Sequence, residues 1–350
     1  QLALAVAQDL ENSGTLYSQR LGVDALNLLN DGKVTGATAL ELHVLGDVYN
    51  SGTLAGRQLM LDANAFANDG NIVATQNGYL HLQSQLNNRG LISGQGALRV
   101  DAGQVQQAAT LEAQTLTLHA DTLDNSGTLL GVDALTLAIV AEVKNSGKWL
   151  SQGESVIQAA RLDNQGTVQA ERLHMDAQQM DNAGQILGLA ALTLDVQGGL
   201  NNQQTGKLLS QGVATLHAAD VTNLGEWQAD RLLLSAARVT NSGRIQGNSA
   251  LTMDLAADPH STLHNQGRLI SGGSSQLAAA LIDNSGVISS QGQSGLTANS
   301  LLNSGNIVAS EGVTLQGNYR GTGNLTTDGQ LTFRGDSLES AGVWQGKNLD

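Results

Sequence analysis

The sequence predicts an all-β fold: a right-handed parallel β-helix, or β-solenoid, of about 18 coils of about 19 residues each. Three observations predict it. An Asn-x-Gly triplet recurs along the whole chain, apolar columns keep a fixed offset from its glycine, and apolar residues alternate with polar ones at strand period. The triplet ends at Gly14, Gly32, Gly52, Gly70 and Gly90, then at Gly127, Gly147, Gly166 and Gly184, and again at Gly225, Gly243, Gly267, Gly286 and Gly305. Degenerate copies fill the gaps: QQA ending at Ala108, NQQTG at Gly206, GTG at Gly323 and SAG at Gly342. From 14 to 342 is 328 residues over 17 intervals, a mean of 19.3. The repeat leaves no room for another domain, so residues 1–350 read as one continuous solenoid region. The opening QLALAVAQDL, with no initiator Met and no basic leader, reads as a piece of a larger protein.

Each strand assignment follows from the columns. Four residues before the glycine stand Leu28, Val48, Phe66 and Leu86 and their successors as far as Leu338. Two residues after it stand Val34, Leu54, Ile72 and Ile92, continuing to Trp344. A third signal is the alternating pair, as in Leu98/Val100, Leu116/Leu118, Leu135/Leu137 and Leu192/Leu194. Neighbouring strand side chains point to opposite faces, so this alternation marks strands, and helical spacing is absent. Each repeat therefore supplies two or three short strands separated by turns. Crossovers between parallel strands are right-handed by default. At about 4.8 Å per stacked strand, the coils would make a rod about 85 Å long.

The triplet is turn chemistry. Asn tolerates left-handed backbone angles, and its amide can bond locally or to the Asn one coil above. Glycine is expected to take positive φ there. The longest interval, Gly243 to Gly267, holds the single proline in AADPHST, and a loop is expected to project at that point.

Composition narrows function. Only 14% of residues are charged and 3% aromatic, so the core is aliphatic, while 41% hydrophobic content argues against disorder. The 42 glycines are too few for a collagen period. A net charge of −14, from 17 basic and 31 acidic side chains, opposes nucleic-acid binding, which needs clustered Lys and Arg. No apolar run is long enough to span a membrane as a helix. The absence of cysteine removes disulfides, thiolate zinc sites and cysteine nucleophiles together.

The pattern L-x-N-x-G-x-[IL] followed by L-x-L is quoted best from LDNSGTLLGVDALTL, LDNQGTVQAERLHMDA and IDNSGVISSQGQSGLTA. It resembles the haemagglutinin repeats of filamentous haemagglutinin, which also occur in contact-dependent growth-inhibition effectors, and the resemblance covers essentially the whole chain. Both belong to the large two-partner-secretion exoproteins. The resemblance implies a Gram-negative, secreted, cell-surface protein exported through an outer-membrane β-barrel transporter. It implies a filament that carries a binding or toxin module, and any receptor contact, outside this segment. Neither a cofactor nor a small-molecule substrate is implied. The match is weakest around Gln104 to Ala109 and in the last two turns, where the Asn ladder is expected to fail and irregular backbone to follow.

Each candidate site also has a blander role. His43, His81 and His174 occupy the outward position of an alternating pair, and His43 and His81 would lie about 10 Å apart, too far for one ion. His260 and His264 flank the proline loop without a carboxylate or thiolate partner in view. Asp163 and Asp181 precede the turn Asn on successive coils, at about the 5 Å spacing of retaining glycosidases, but any two stacked acids meet that spacing. Trp149, Trp227 and Trp344 could stack on sugars, yet they stand in an apolar column and are read as core. No phosphate loop, GxSxG, HExxH or calcium nonapeptide occurs. The sequence thus names no catalytic, cofactor or metal residue. It reads as a non-enzymatic shaft; the alternative is a carbohydrate-binding or lyase-like β-helical module.

Overall fold

A computed structural model describes residues 1–350 and contains only strands and turns, with no helix. The chain divides into two compact units, Gln1–Glu171 and Arg172–Asp350. Within each, coils stack by parallel pairing at the predicted period. In the first unit Leu21 pairs with Leu40, Leu40 with Leu59, Leu98 with Leu116 and Leu116 with Leu135. In the second, Leu192 pairs with Ala214, Ala214 with Leu232 and Leu232 with Leu251. The apolar columns therefore run as ladders inside each unit. Leu28, Val48, Leu86 and Val34 are fully buried, as are Leu263, Ile282, Leu269 and Ile307. Each such side chain contributes about 1.5–3 kcal/mol.

The strands are longer than the repeat suggests. Thr53–Asn68, Asn71–Asn88, Leu91–Gln107, Thr110–Asn125 and Thr128–Asn145 each run through the corners of a coil and stop only at the Asn-x-Gly turn. Corners bend through register shifts, for example between Ala113 and Thr115, without leaving the ladder. Elsewhere the coil does divide, as in Lys148–Ser151 and Glu154–Asn164.

The turn amides form a buried spine. In the first unit Asn30 Nδ2 donates to Asn50 Oδ1 at 2.7 Å, Asn50 to Asn68 at 2.8 Å and Asn68 to Asn88 at 2.8 Å. In the second, Asn202 donates to Asn223, Asn223 to Asn241 and Asn241 to Asn265 at 2.7–2.8 Å. The same nitrogens also lie 3.2–3.4 Å from the oxygen of their own turn glycine, as at Gly52 and Gly206. These amides thus use both hydrogens, which keeps a buried polar column from destabilising the fold.

The turn glycines correct one expectation. None of them takes positive φ; Gly317, outside the triplets, is the one glycine that does, at 120°. Nor does any asparagine adopt left-handed angles. What requires glycine is proximity. A Cβ at Gly52 would lie 2.0 Å from Gly32 O, and one at Gly147 would lie 2.1 Å from Gly127 O. In the second unit a Cβ at Gly286 would lie 2.2 Å from Gly267 O. Stacked turns touch backbone to backbone, so a Cβ is accommodated only where the turn shifts, as it does at Ala109.

The weak repeat near Gln104 is also corrected. Gln107 pairs with Asn88 and Asn125, so the turn is Gln107-Ala108-Ala109 and Ala109, not Ala108, holds the glycine position. Strand register is regular through Gln104–Gln107, but the turn is not: it keeps Ala108 N to Asn88 O at 2.9 Å and lacks the two further backbone bonds made by turns such as Ser51–Thr53, so the expected irregular backbone is confined to Ala108–Ala109. Asn88 Nδ2 donates to Gln107 Oε1 at 2.9 Å, but Gln107 Nε2 turns to Thr128 O at 3.3 Å. Asn125 Oδ1 is left buried without a partner. The ladder loses one rung there and no coil. In the last turns it does end: Gly321 stands opposite Asn303, whose amide donates instead to the buried Tyr319 Oη at 3.2 Å. Beyond that point the strands are only two to five residues long, and Leu338 and Leu349 are exposed. The proline loop projects as expected, between Asp254 and Thr262.

Candidate functional site

One outward column of the first unit concentrates the titratable chemistry. Register stacks Asp24 on His43, His43 on Asp62, Asp62 on His81, His81 on Asp101 and Asp101 on His119. Each lies between inward residues such as Leu42 and Val44, Leu80 and Leu82, or Leu118 and Ala120, so the pleat turns it to the surface. Acid and imidazole alternate through six coils. The column was readable: ten or eleven residues after each turn position stands one of the two types. Considering His43 and His81 without the coil between them hides Asp62.

The column is tightest at Asp101, whose side chain is 17% exposed. Arg99 Nε donates to both of its oxygens at 2.9 and 3.0 Å, Tyr79 Oη donates at 2.7 Å, and His119 Nδ1 lies 2.9 Å away. Arg99 also sits 5.7 Å over the Tyr79 ring. Burial alone would raise the Asp101 carboxyl, but the bonds from Arg99, Tyr79 and His119 outweigh it and hold the group below the usual carboxylate range. The bond to Asp101, together with partial burial, pushes the Tyr79 phenol up. Arg99, Asp101 and His119 line an open groove of about 600 Å³ with His81 and Asp121. A carboxylate this saturated is an organising acceptor. Its lone pairs are occupied, so it is poorly placed to act as a base or nucleophile. No three His, Asp or Glu side chains converge on one point.

The other candidates are dispersed. His174 Nε2 lies 3.7 Å from Asp195 Oδ2, and His217 stacks on Asp195 one coil on. His264 Nδ1 lies 2.9 Å from Asp283, a carboxylate partner that sequence spacing did not reveal because it comes from the next coil. His260 is exposed in the proline loop. Asp163 is in the first unit, opposite Lys144, while Asp181 is in the second and accepts from Asn201 Nδ2 at 3.2 Å. Trp149 and Trp227 are at most 1% exposed, so neither offers a face to a sugar. Trp344 is half-buried, its ring edge-on to Tyr319 at 5.0 Å and to Phe333 at 6.3 Å.

Comparison with known proteins adds identity to this geometry. The chain is 44% identical over 234 residues, 66% of its length, to a protein of Dickeya dadantii named deoxyribonuclease CdiA. It is 30% identical over 280 residues, 72% of its length, to the tRNA nuclease CdiA of Escherichia coli NC101. It is 34% identical over 190 residues, 51% of its length, to the 16S rRNA endonuclease CdiA of Enterobacter cloacae. The chain spans only 7%, 8% and 6% of these relatives' own lengths. No family model matches the chain. No solved structure matches it.

Proposed function

On the premise that this chain belongs to the CdiA group of contact-dependent growth-inhibition exoproteins, we propose that it is a segment of their β-solenoid shaft. Its work is mechanical: it holds a toxin or binding module at a distance from the producing cell. One observation carries this reading. Relatives named for DNA, tRNA and 16S rRNA cleavage each match half or more of this solenoid chain, so the chain does not select the nucleic acid. The tightest polar cluster agrees, since the carboxylate of Asp101 is occupied by Arg99, Tyr79 and His119. The parent protein is read as secreted through an outer-membrane β-barrel transporter and displayed on a Gram-negative surface. The Asn-x-Gly phase keeps its spacing in both units, which supports reading residues 1–350 as one run of repeats.

The test uses coil deletions in the parent exoprotein. Removing Thr128–Gly166 deletes two whole coils and keeps every column in phase, so secretion and growth inhibition of target cells should persist. Removing Thr128–Leu137 shifts the columns by half a coil and should abolish both. A second arm incubates residues 1–350 alone with plasmid DNA and tRNA. Cleavage that tracks the purified chain would overturn the shaft reading.

A further inference from the structure

The proline loop is the longest stretch between two strands of the chain, and it presents a peptide bond of unusual chemistry. Asp258 precedes Pro259, the single proline of the chain. An aspartate carboxylate can reach its own backbone carbonyl carbon through a five-membered ring, and a proline nitrogen, being a tertiary amide nitrogen, is a comparatively good leaving group once protonated. The ordinary role of Asp-Pro is to start a turn, and it does so here. The turn also arranges the reacting atoms. Ser261 N donates to Asp258 O at 3.1 Å, placing an N–H on the scissile carbonyl oxygen where negative charge would develop. His260 N donates to Asp258 Oδ1 at 2.8 Å, which fixes the carboxylate. Pro259 and the His260 side chain are exposed, giving water and a proton donor access.

We propose that the Asp258–Pro259 bond is a self-cleavage site. An Asp258 carboxylate oxygen attacks the Asp258 carbonyl carbon, and the bond from that carbon to Pro259 N breaks. The electron pair goes to the nitrogen, which takes a proton from the His260 imidazolium or from water. The resulting cyclic anhydride adds one water, leaving two carboxyl groups on Asp258 and a free amine on Pro259. Atoms balance with water as the one co-reactant. The reaction needs an ionised carboxylate and a proton for the leaving nitrogen, so mildly acidic medium favours it. Arg238, from the strand Glu226–Asn241, lies within electrostatic reach of Asp258 and is itself paired with Asp220 at 2.6 Å. Asp254 and His260 of the same segment, Asp336 across one adjoining groove, and Asp195 and His217 across another also face this surface.

A nick here would not release either piece. Leu255 N donates to Ala278 O at 2.8 Å and Leu281 N to Ser261 O at 3.0 Å, so both flanks stay paired to the next coil. The cut would convert a covalent shaft into one held at this level by stacking alone.

The experiment incubates the intact 350-residue chain in ¹⁸O-water at about pH 4.5, near the ordinary carboxylate range, and at about pH 7. Denaturing electrophoresis and mass spectrometry follow fragments 1–258 and 259–350, and gel filtration follows the native assembly. The expected result is cleavage at this bond, label in the Asp258 carboxyls, and an unchanged native elution volume. Asp258→Asn and Pro259→Ala should slow it at least about tenfold, a change of about 1.4 kcal/mol in the barrier. The folded chain should also be cut several-fold faster than the same chain in urea. Equal cleavage of Asp258→Asn would assign the cut to a contaminating protease and overturn the proposal. So would a folded chain that stays intact while the urea sample is cut, since the turn would then protect the bond. Neither result bears on the shaft reading, which the coil deletions test.

Discussion

Gly147 and Gly14 occupy the same position of the repeat, yet within residues 1–350 only Gly147 has a turn stacked beneath it. A Cβ at Gly147 meets Gly127 O at 2.1 Å, whereas a Cβ at Gly14 meets nothing within 4 Å. Gly147→Ala should therefore destabilise the chain by about 1–3 kcal/mol through forced backbone separation. Gly14→Ala should be neutral or stabilising by up to about 1 kcal/mol, because it only restricts the unfolded chain. Urea midpoints of the two variants decide the matter; equal losses would return the explanation to backbone angles. The need for glycine was legible in the repeat. Its cause was not, because a spacing of 19 residues says nothing about how closely two turns approach. Gln107 makes a second case at this scale. Its longer side chain satisfies Asn88 but bypasses Asn125, so Gln107→Asn should restore the missing rung and add about 1 kcal/mol.

At the scale of the strand and its coil, the Asp101 cluster ties three neighbouring strands together through Tyr79, Arg99 and His119. Because Asp101 is held below its ordinary range, its contribution is present above the unfolded-state pKa of about 3.9 and is lost as pH falls through the lower folded value. Urea midpoints should thus fall between about pH 5 and about pH 2.5, and Asp101→Asn should flatten part of that slope. An identical slope in the variant would show that the cluster does not couple these strands. Sequence alternation located each of these strands, since Leu98/Val100 and Leu116/Leu118 are buried as expected. It could not show that the strands continue around the corners, because corner residues such as Gly94 and Ala113 carry no period of their own. Nor could it show which outward residues meet, because that depends on register between coils rather than on order within one.

For the whole chain, stability is approximately a sum over coils and the contacts between nearest neighbours, so a coil with a neighbour on one side only is held by half the usual interface. Leu10 and Leu16 are half-buried and Leu338 is exposed, although their counterparts Leu28, Val34 and Leu301 are at most 1% exposed. The apolar columns do not weaken in sequence at these positions; within residues 1–350 these coils are paired on one side only. Amide exchange should therefore be fastest in Leu2–Asn12 and in Leu338–Leu349, and slower by several orders of magnitude at Leu129 and Leu269. Tryptophan emission offers an independent check, since Trp149 and Trp227 are buried inside their units and Trp344 sits among the final short strands. Two-thirds of the indoles should resist acrylamide and emit toward the blue, while the third is quenched together with the fast amides. Uniform exchange along a proven monomer, or equal quenching of all three indoles, would mean that terminal coils are held as firmly as internal ones. Nearest-neighbour stacking would then be the wrong account of what keeps this solenoid folded.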